Sequence, residues 1–129
     1  MPHGNKQTPE LSANLILRFL LELAALITLA AFGWHLGEGV MSYLYATGLP
    51  LVAATAWGLF AVPGDMSRSG NAPVPVPGFL RLLIELGIFA SAAFALLRLN
   101  HPSPAWIFAL AVAVHYAISY RRILWLLGR

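Results

Sequence analysis

Four side chains in this sequence have the types and spacing for acid–base chemistry: Arg18 with Glu22, and Arg81 with Glu85. Each Arg precedes its Glu by four residues, and each pair is set in an otherwise apolar run, "LILRFLLELAALI" and "GFLRLLIELGIFA". On a helix, positions i and i+4 share a face, so each Arg can reach its own Glu. Two carboxylates brought close together can hold one proton between them, with a guanidinium keeping the other oxygen pair ionised. Glu22 and Glu85 are therefore candidate proton carriers, and Arg18 and Arg81 are candidate counter-ions or substrate-holding groups. The same residues also fit salt bridges that lock helices in place, because buried ion pairs can serve specificity without chemistry.

A second set of candidates lies further along. His115 and Tyr116 sit mid-run, with Tyr120 one helical turn on. Imidazole titrates near neutrality and suits a proton relay to Glu22 or Glu85, although a lone histidine in a helical bundle is more often a packing residue. Trp34, Trp106 and Trp125 fall near the ends of apolar runs, where indoles anchor to a membrane interface. Trp57 lies deeper and is placed to wall a pocket, with Tyr116 and Tyr120 as further substrate-contacting candidates. His35, Glu38 and His101 match no ligand spacing, so no metal is expected. The absence of Cys excludes disulfides and thiolate ligands. No nucleotide loop, haem-attachment motif or nucleophile elbow is present, and no cofactor is expected.

The elements that must position these residues follow from composition. Hydrophobic residues make up 59% of the 129 residues and charged residues 10%, against about 45–50% and about 25% in soluble domains. Such a chain cannot cover a water-facing surface, so its partner is the lipid bilayer. Net charge is +3, with the basic residues near the ends of apolar runs, which resembles membrane topology signals more than a nucleic-acid footprint. Residues 1–11 read as a polar tail and 12–129 as one transmembrane domain with helices at about 12–34, 42–62, 78–99 and 104–127. Each offers enough length, at about 1.5 Å per residue, to cross a hydrocarbon core of about 30 Å. The first run carries Arg18 and Glu22 and is too long for a signal peptide, so it reads as a retained span. Between the second and third runs, "PGDMSRSGNAPVPVPG" must leave the helix. Pro50 predicts a kink in the second. Lys6, Arg68, Arg121, Arg122 and Arg129 share one side if both termini are cytoplasmic.

The two Arg/Glu pairs lie 63 residues apart, and the register extends to Ala24 and Thr28 against Gly87 and Ser91, both small-xxx-small patterns. The expected fold is all-α: a four-transmembrane-helix bundle built from two parallel-repeat helical hairpins. A bare charge at mid-bilayer costs about 2.5–3.5 kcal/mol, so neither pair should face lipid. The first and third helices are expected to meet, crossing both pairs into a four-member network that Asn14 extends.

"NLILRFLLELAAL", "WGLFAVPGD" and "RLLIELGIFASAAFAL" together resemble the YrdB-like family of small bacterial integral membrane proteins. The resemblance covers about Asn14 to Leu126 and implies four spans in a bacterial cytoplasmic membrane. It also implies an Asn near the position of His115, where this chain departs. The family is one of unknown function, so the resemblance supplies no activity.

Three functions stay open. Proton-linked handling or transport of a small or lipophilic molecule requires a cavity reaching the carboxylates, and with four short helices it admits a homodimer. A membrane-embedded acid–base enzyme (isomerase, cyclase or epoxide hydrolase type) requires a pocket opening sideways to lipid, lined by Trp57, Tyr116 and His115. A structural or partner-binding protein requires only that the charges be fully paired.

Overall fold

The computed structural model describes residues 9–65 and 72–129, with side chains from residue 13 onward. Its elements are α1 (Pro9–Leu36), α2 (Val40–Leu59), β1 (Phe60–Ala61), β2 (Val74–Pro75), α3 (Gly78–Arg98), α4 (Pro102–Ile118) and α5 (Tyr120–Leu127). α1 and α3 are long and apolar enough to cross a membrane, and α4 with α5 adds a third such unit if the two count as one span bent by 71°. α2, diluted by Tyr43, Tyr45, Thr47 and Thr55, falls short of that apolarity.

α1 and α3 form the central pair, with α2 on α1, and with α4 and α5 on α3. The α1–α2 hairpin is tight because Gly33 has no side chain: a Cβ there would lie 2.3 Å from the Tyr45 carbonyl oxygen. α3 ends in a Schellman arrangement, with Asn100 at φ 64 and the amides of Asn100 and His101 donating to Leu97 and Leu96. The segment between α2 and α3 leaves the helix as its prolines require, and it pairs β1 with β2 in parallel over two residues. Inside, Phe89 touches the rings of Trp57, Phe108 and Tyr116 at 5.4, 6.0 and 6.2 Å, with Ala25, Ala92 and Ala95 closing the helix contacts. Outside, large apolar side chains such as Ile16, Ile27, Val52, Ile107 and Leu110 are exposed. That exterior suits hydrocarbon.

Several boundaries differ from expectation. α1 starts at Pro9, inside the expected 1–11 tail, because a proline is tolerated in a helix's first turn. α2 stops at Leu59 rather than residue 62, and Pro50 stands inside it. The expected fourth helix breaks at Ser119 (φ −90, ψ 19), and α5 leaves it at 71° to pack on α3. Gly87 and Ser91 are exposed, and a Cβ on Gly87 would meet nothing; the Ser91 hydroxyl donates back to the Gly87 carbonyl. The close approach on α3 is at Gly78 instead. A Cβ there would lie 1.6 Å from the Leu126 carbonyl oxygen, so the start of α3 lies directly against the end of α5. Lys6 and Arg68, two of the residues behind the expected orientation, lie outside the described residues.

Candidate functional site

Glu85 projects from α3 one turn after Arg81 and has no exposed surface. Its Oε2 accepts from Arg81 Nε at 2.7 Å, Arg122 Nη2 at 2.7 Å and Arg18 Nη2 at 3.0 Å. Its Oε1 accepts from the Tyr116 hydroxyl at 2.7 Å and Arg122 Nη1 at 3.0 Å. Five donors from four side chains on α1, α3, α4 and α5 thus converge on one carboxylate.

Each guanidinium also reaches elsewhere. Arg81 Nη1 donates to the carbonyls of Trp57 and Phe60 at 2.9 and 2.7 Å, which satisfies acceptors left open where α2 ends. Arg122 grips Asp65 in two-pronged fashion, Nε to Oδ1 at 2.9 Å and Nη2 to Oδ2 at 2.6 Å. Arg18 Nε donates to Glu22 Oε2 at 3.0 Å. Among the described residues, three guanidiniums face three carboxylates, the balance that a low-dielectric setting favours.

The structure brings Arg18, Glu22, Arg81, Glu85 and Tyr116 into one assembly. It does not make Glu22 and Glu85 a shared-proton pair, because the Arg18 guanidinium stands between them and bonds both. Glu22 differs from Glu85 in exposure: its side chain is 27% accessible. It lines a groove of about 450 Å³ together with Arg18, Arg81 and Trp57, walled by apolar residues including Phe19, Leu23, Leu26 and Ala54.

The other candidates fall elsewhere. His115 does not hydrogen-bond to either Glu among the described residues. Its Nδ1 lies 2.9 Å from Asn14 Oδ1 and donates to it in the tautomer protonated there, while Asn14 Nδ2 donates to the Ser119 hydroxyl. That small network ties α1 to the α4–α5 break. The His115 ring meets Tyr116 edge-on at 4.9 Å. His115 Nε2 and Trp57 Nε1 are buried with no partner among the described residues. Neither His115 nor Tyr116 lines the groove, and Tyr120 is exposed on α5, where Arg121 Nε donates to its hydroxyl. His35 and His101 share a second cavity of about 490 Å³ without Glu38, and no three-residue metal-ligating group occurs among the described residues.

Two members of the assembly, Asp65 and Arg122, were not foreseen as such. Arg122 reads as an interfacial cation in the sequence, and Asp65 falls in the proline-rich connection that must leave the helix. The available signal was their chemistry: an acid closing the second apolar run and a base opening a new amphipathic segment.

The family model described as "Protein of unknown function (DUF2568)" matches residues 16–113, a segment that contains Arg18, Glu22, Asp65, Arg81 and Glu85. The chain is 43% identical over 116 residues to the uncharacterized protein YrdB of Bacillus subtilis (strain 168), covering 90% of this chain and 94% of that protein. No solved structure matches the chain. With three-quarters of its length in the family match and most of it aligned to YrdB, this chain belongs to the YrdB-like DUF2568 family of unknown function.

Proposed function

We propose that this chain is a multi-pass protein of the bacterial cytoplasmic membrane that handles a small lipophilic molecule in the groove between α1 and α2, in a proton-linked manner through Glu22. All four helical units cross the bilayer in this reading. The 20 residues of α2 reach about 30 Å, the thickness of a hydrocarbon core. Both termini lie on the cytoplasmic side with Arg121, Arg122 and Arg129.

The observation that carries the reading is the groove itself. Its volume of about 450 Å³ falls in the range of small-molecule sites, about 300–1,000 Å³. Among the described residues it combines apolar walls with one partly accessible carboxylate. Glu22 is the member of the charged assembly placed to exchange a proton, since Glu85 is sealed and fully engaged by donors. Glu85, with Arg81, Arg122 and Tyr116, forms the frame that fixes Arg18 and so orients Glu22. An enzyme reading has less support, because His115 and Tyr116 do not line the groove.

The test is to purify wild type and Gly58→Leu in mild detergent and identify the small molecules retained by each. Gly58 lines the groove, and no described residue lies within 4 Å of where its Cβ would go, so a leucine there extends into the groove. A lipophilic compound retained by wild type and missing from Gly58→Leu is the expected result. Identical extracts would remove the groove from consideration.

A further inference from the structure

The chemical class of the ligand follows from what the groove leaves without a partner, and the inference rests on the groove reading above. Of the three charged side chains lining the groove among the described residues, Arg18 and Arg81 are turned inward, with side chains 5% and 1% accessible. Their N–H groups donate to Glu22, Glu85 and the carbonyls of Trp57 and Phe60. Glu22 is the charged side chain that the groove presents outward. Its Oε2 takes the Arg18 Nε–H, and no donor among the described residues reaches its Oε1. The accessible polar group on offer is therefore an acceptor; the Trp57 Nε1–H, without a partner among the described residues, is buried.

An acceptor set among apolar walls is better satisfied with a donor than without one, so a molecule that brings an O–H or N–H is favoured there. The charge of that molecule is constrained as well. Three guanidiniums already balance three carboxylates among the described residues, and adding an ion would leave net charge in a low-dielectric setting. A neutral donor leaves the balance unchanged. The space for its body comes from small residues on α2: Ala54 and Gly58 both line the groove, and no described residue occupies the position of a Gly58 Cβ.

We infer that the groove binds an uncharged amphiphile whose hydroxyl, phenol or amide N–H donates to Glu22 Oε1, with its apolar body along Phe19, Leu23, Leu26 and Ala54. This also supplies the proton link. When a proton adds to Glu22 Oε1, the carboxylate becomes a carboxylic acid and that oxygen carries its own O–H. The ligand's donor then meets a neutral oxygen and loses the charge-assisted hydrogen bond, so the ligand is held less tightly.

The full chain in nanodiscs, titrated against empty nanodiscs and read by native mass spectrometry, tests this with dodecanol, dodecylammonium and dodecanoate as probes. Dodecanol is expected to bind saturably and about tenfold more tightly than either ion. Its binding is expected to vanish in Gly58→Leu and Ala54→Leu and to weaken in Glu22→Met, with thermal melting confirming that each variant folds. Equal or tighter binding of a charged probe would overturn the head-group assignment while leaving the groove reading in place. Dodecanol binding undiminished in both leucine variants, or no saturable binding by any probe, would overturn the groove reading itself.

Discussion

The two Arg/Glu pairs share a sequence pattern and end in different environments. Arg81–Glu85 is sealed, and Glu85 accepts five hydrogen bonds. Arg18–Glu22 lies at the rim, with Glu22 partly accessible in the groove. The residue three positions before each Arg explains the difference. On α3 it is Gly78, and the absence of a side chain lets the Leu126 backbone lie against it, which delivers Arg122 from α5 to Glu85. On α1 it is Leu15, a residue that lines the groove, and among the described residues no equivalent helix closes over Glu22. One methylene-bearing side chain in place of a hydrogen separates a sealed centre from an accessible one. Sequence equivalence sets where the charges are. Local packing decides which of them meets the outside.

That contrast can be broken from either side. Glu85→Gln removes the carboxylate on which three guanidiniums converge and should cost about 3–5 kcal/mol, whereas Glu22→Gln, at the rim, should cost about 1 kcal/mol or less. Melting of both variants in detergent compares them, and equal losses would erase the distinction. Gly78→Leu gives α3 the residue found on α1; its side chain runs into the Leu126 backbone, and the overpacking should cost about 1–3 kcal/mol. The chain has no cysteine, so spin labels introduced at exposed Leu83 and Leu127 would report α5 moving away from α3; an unchanged distance would mean that Gly78 does not set α5's position. Tyr116→Phe removes one donor from Glu85 Oε1 while Arg122 remains on it, and about 1–2 kcal/mol of destabilisation is expected in the same melts. At the outer face of α3, Gly87→Ala should be neutral or stabilising by up to about 1 kcal/mol, because nothing lies where its Cβ would go. A loss there would indicate a contact on that face.

Much of this arrangement was legible in the sequence. The apolar runs, their turns and the meeting of Arg18 with Glu85 follow from the cost of leaving charge in lipid, a constraint that acts on any arrangement of these residues. What the sequence hid depends on long-range contacts. The break at Ser119 has no proline or glycine to announce it; it is tied to Asn14 on α1 and to the seating of Leu126 on Gly78, neither of which periodicity reveals. For the same reason Arg122 read as an interfacial cation, although the bend turns it inward onto Asp65 and Glu85. Gly87 and Ser91 carried the expected spacing for close helix contact and proved to lie on the exterior, because the buried face of α3 is set by Arg81, Glu85, Phe89 and Ala92. Small-residue spacing alone does not say which face is inside.

Glu22 and Glu85 are unequally accessible, and a lipophilic carbodiimide measures the inequality without any substitution. Carbodiimide adds to accessible carboxyl groups, and peptide mapping by mass spectrometry identifies the labelled residue. In the folded chain in nanodiscs, modification is expected at Glu22, with Glu85 unmodified until the protein is denatured. Modification of Glu85 at a rate equal to or above that of Glu22 in the folded protein would contradict the account.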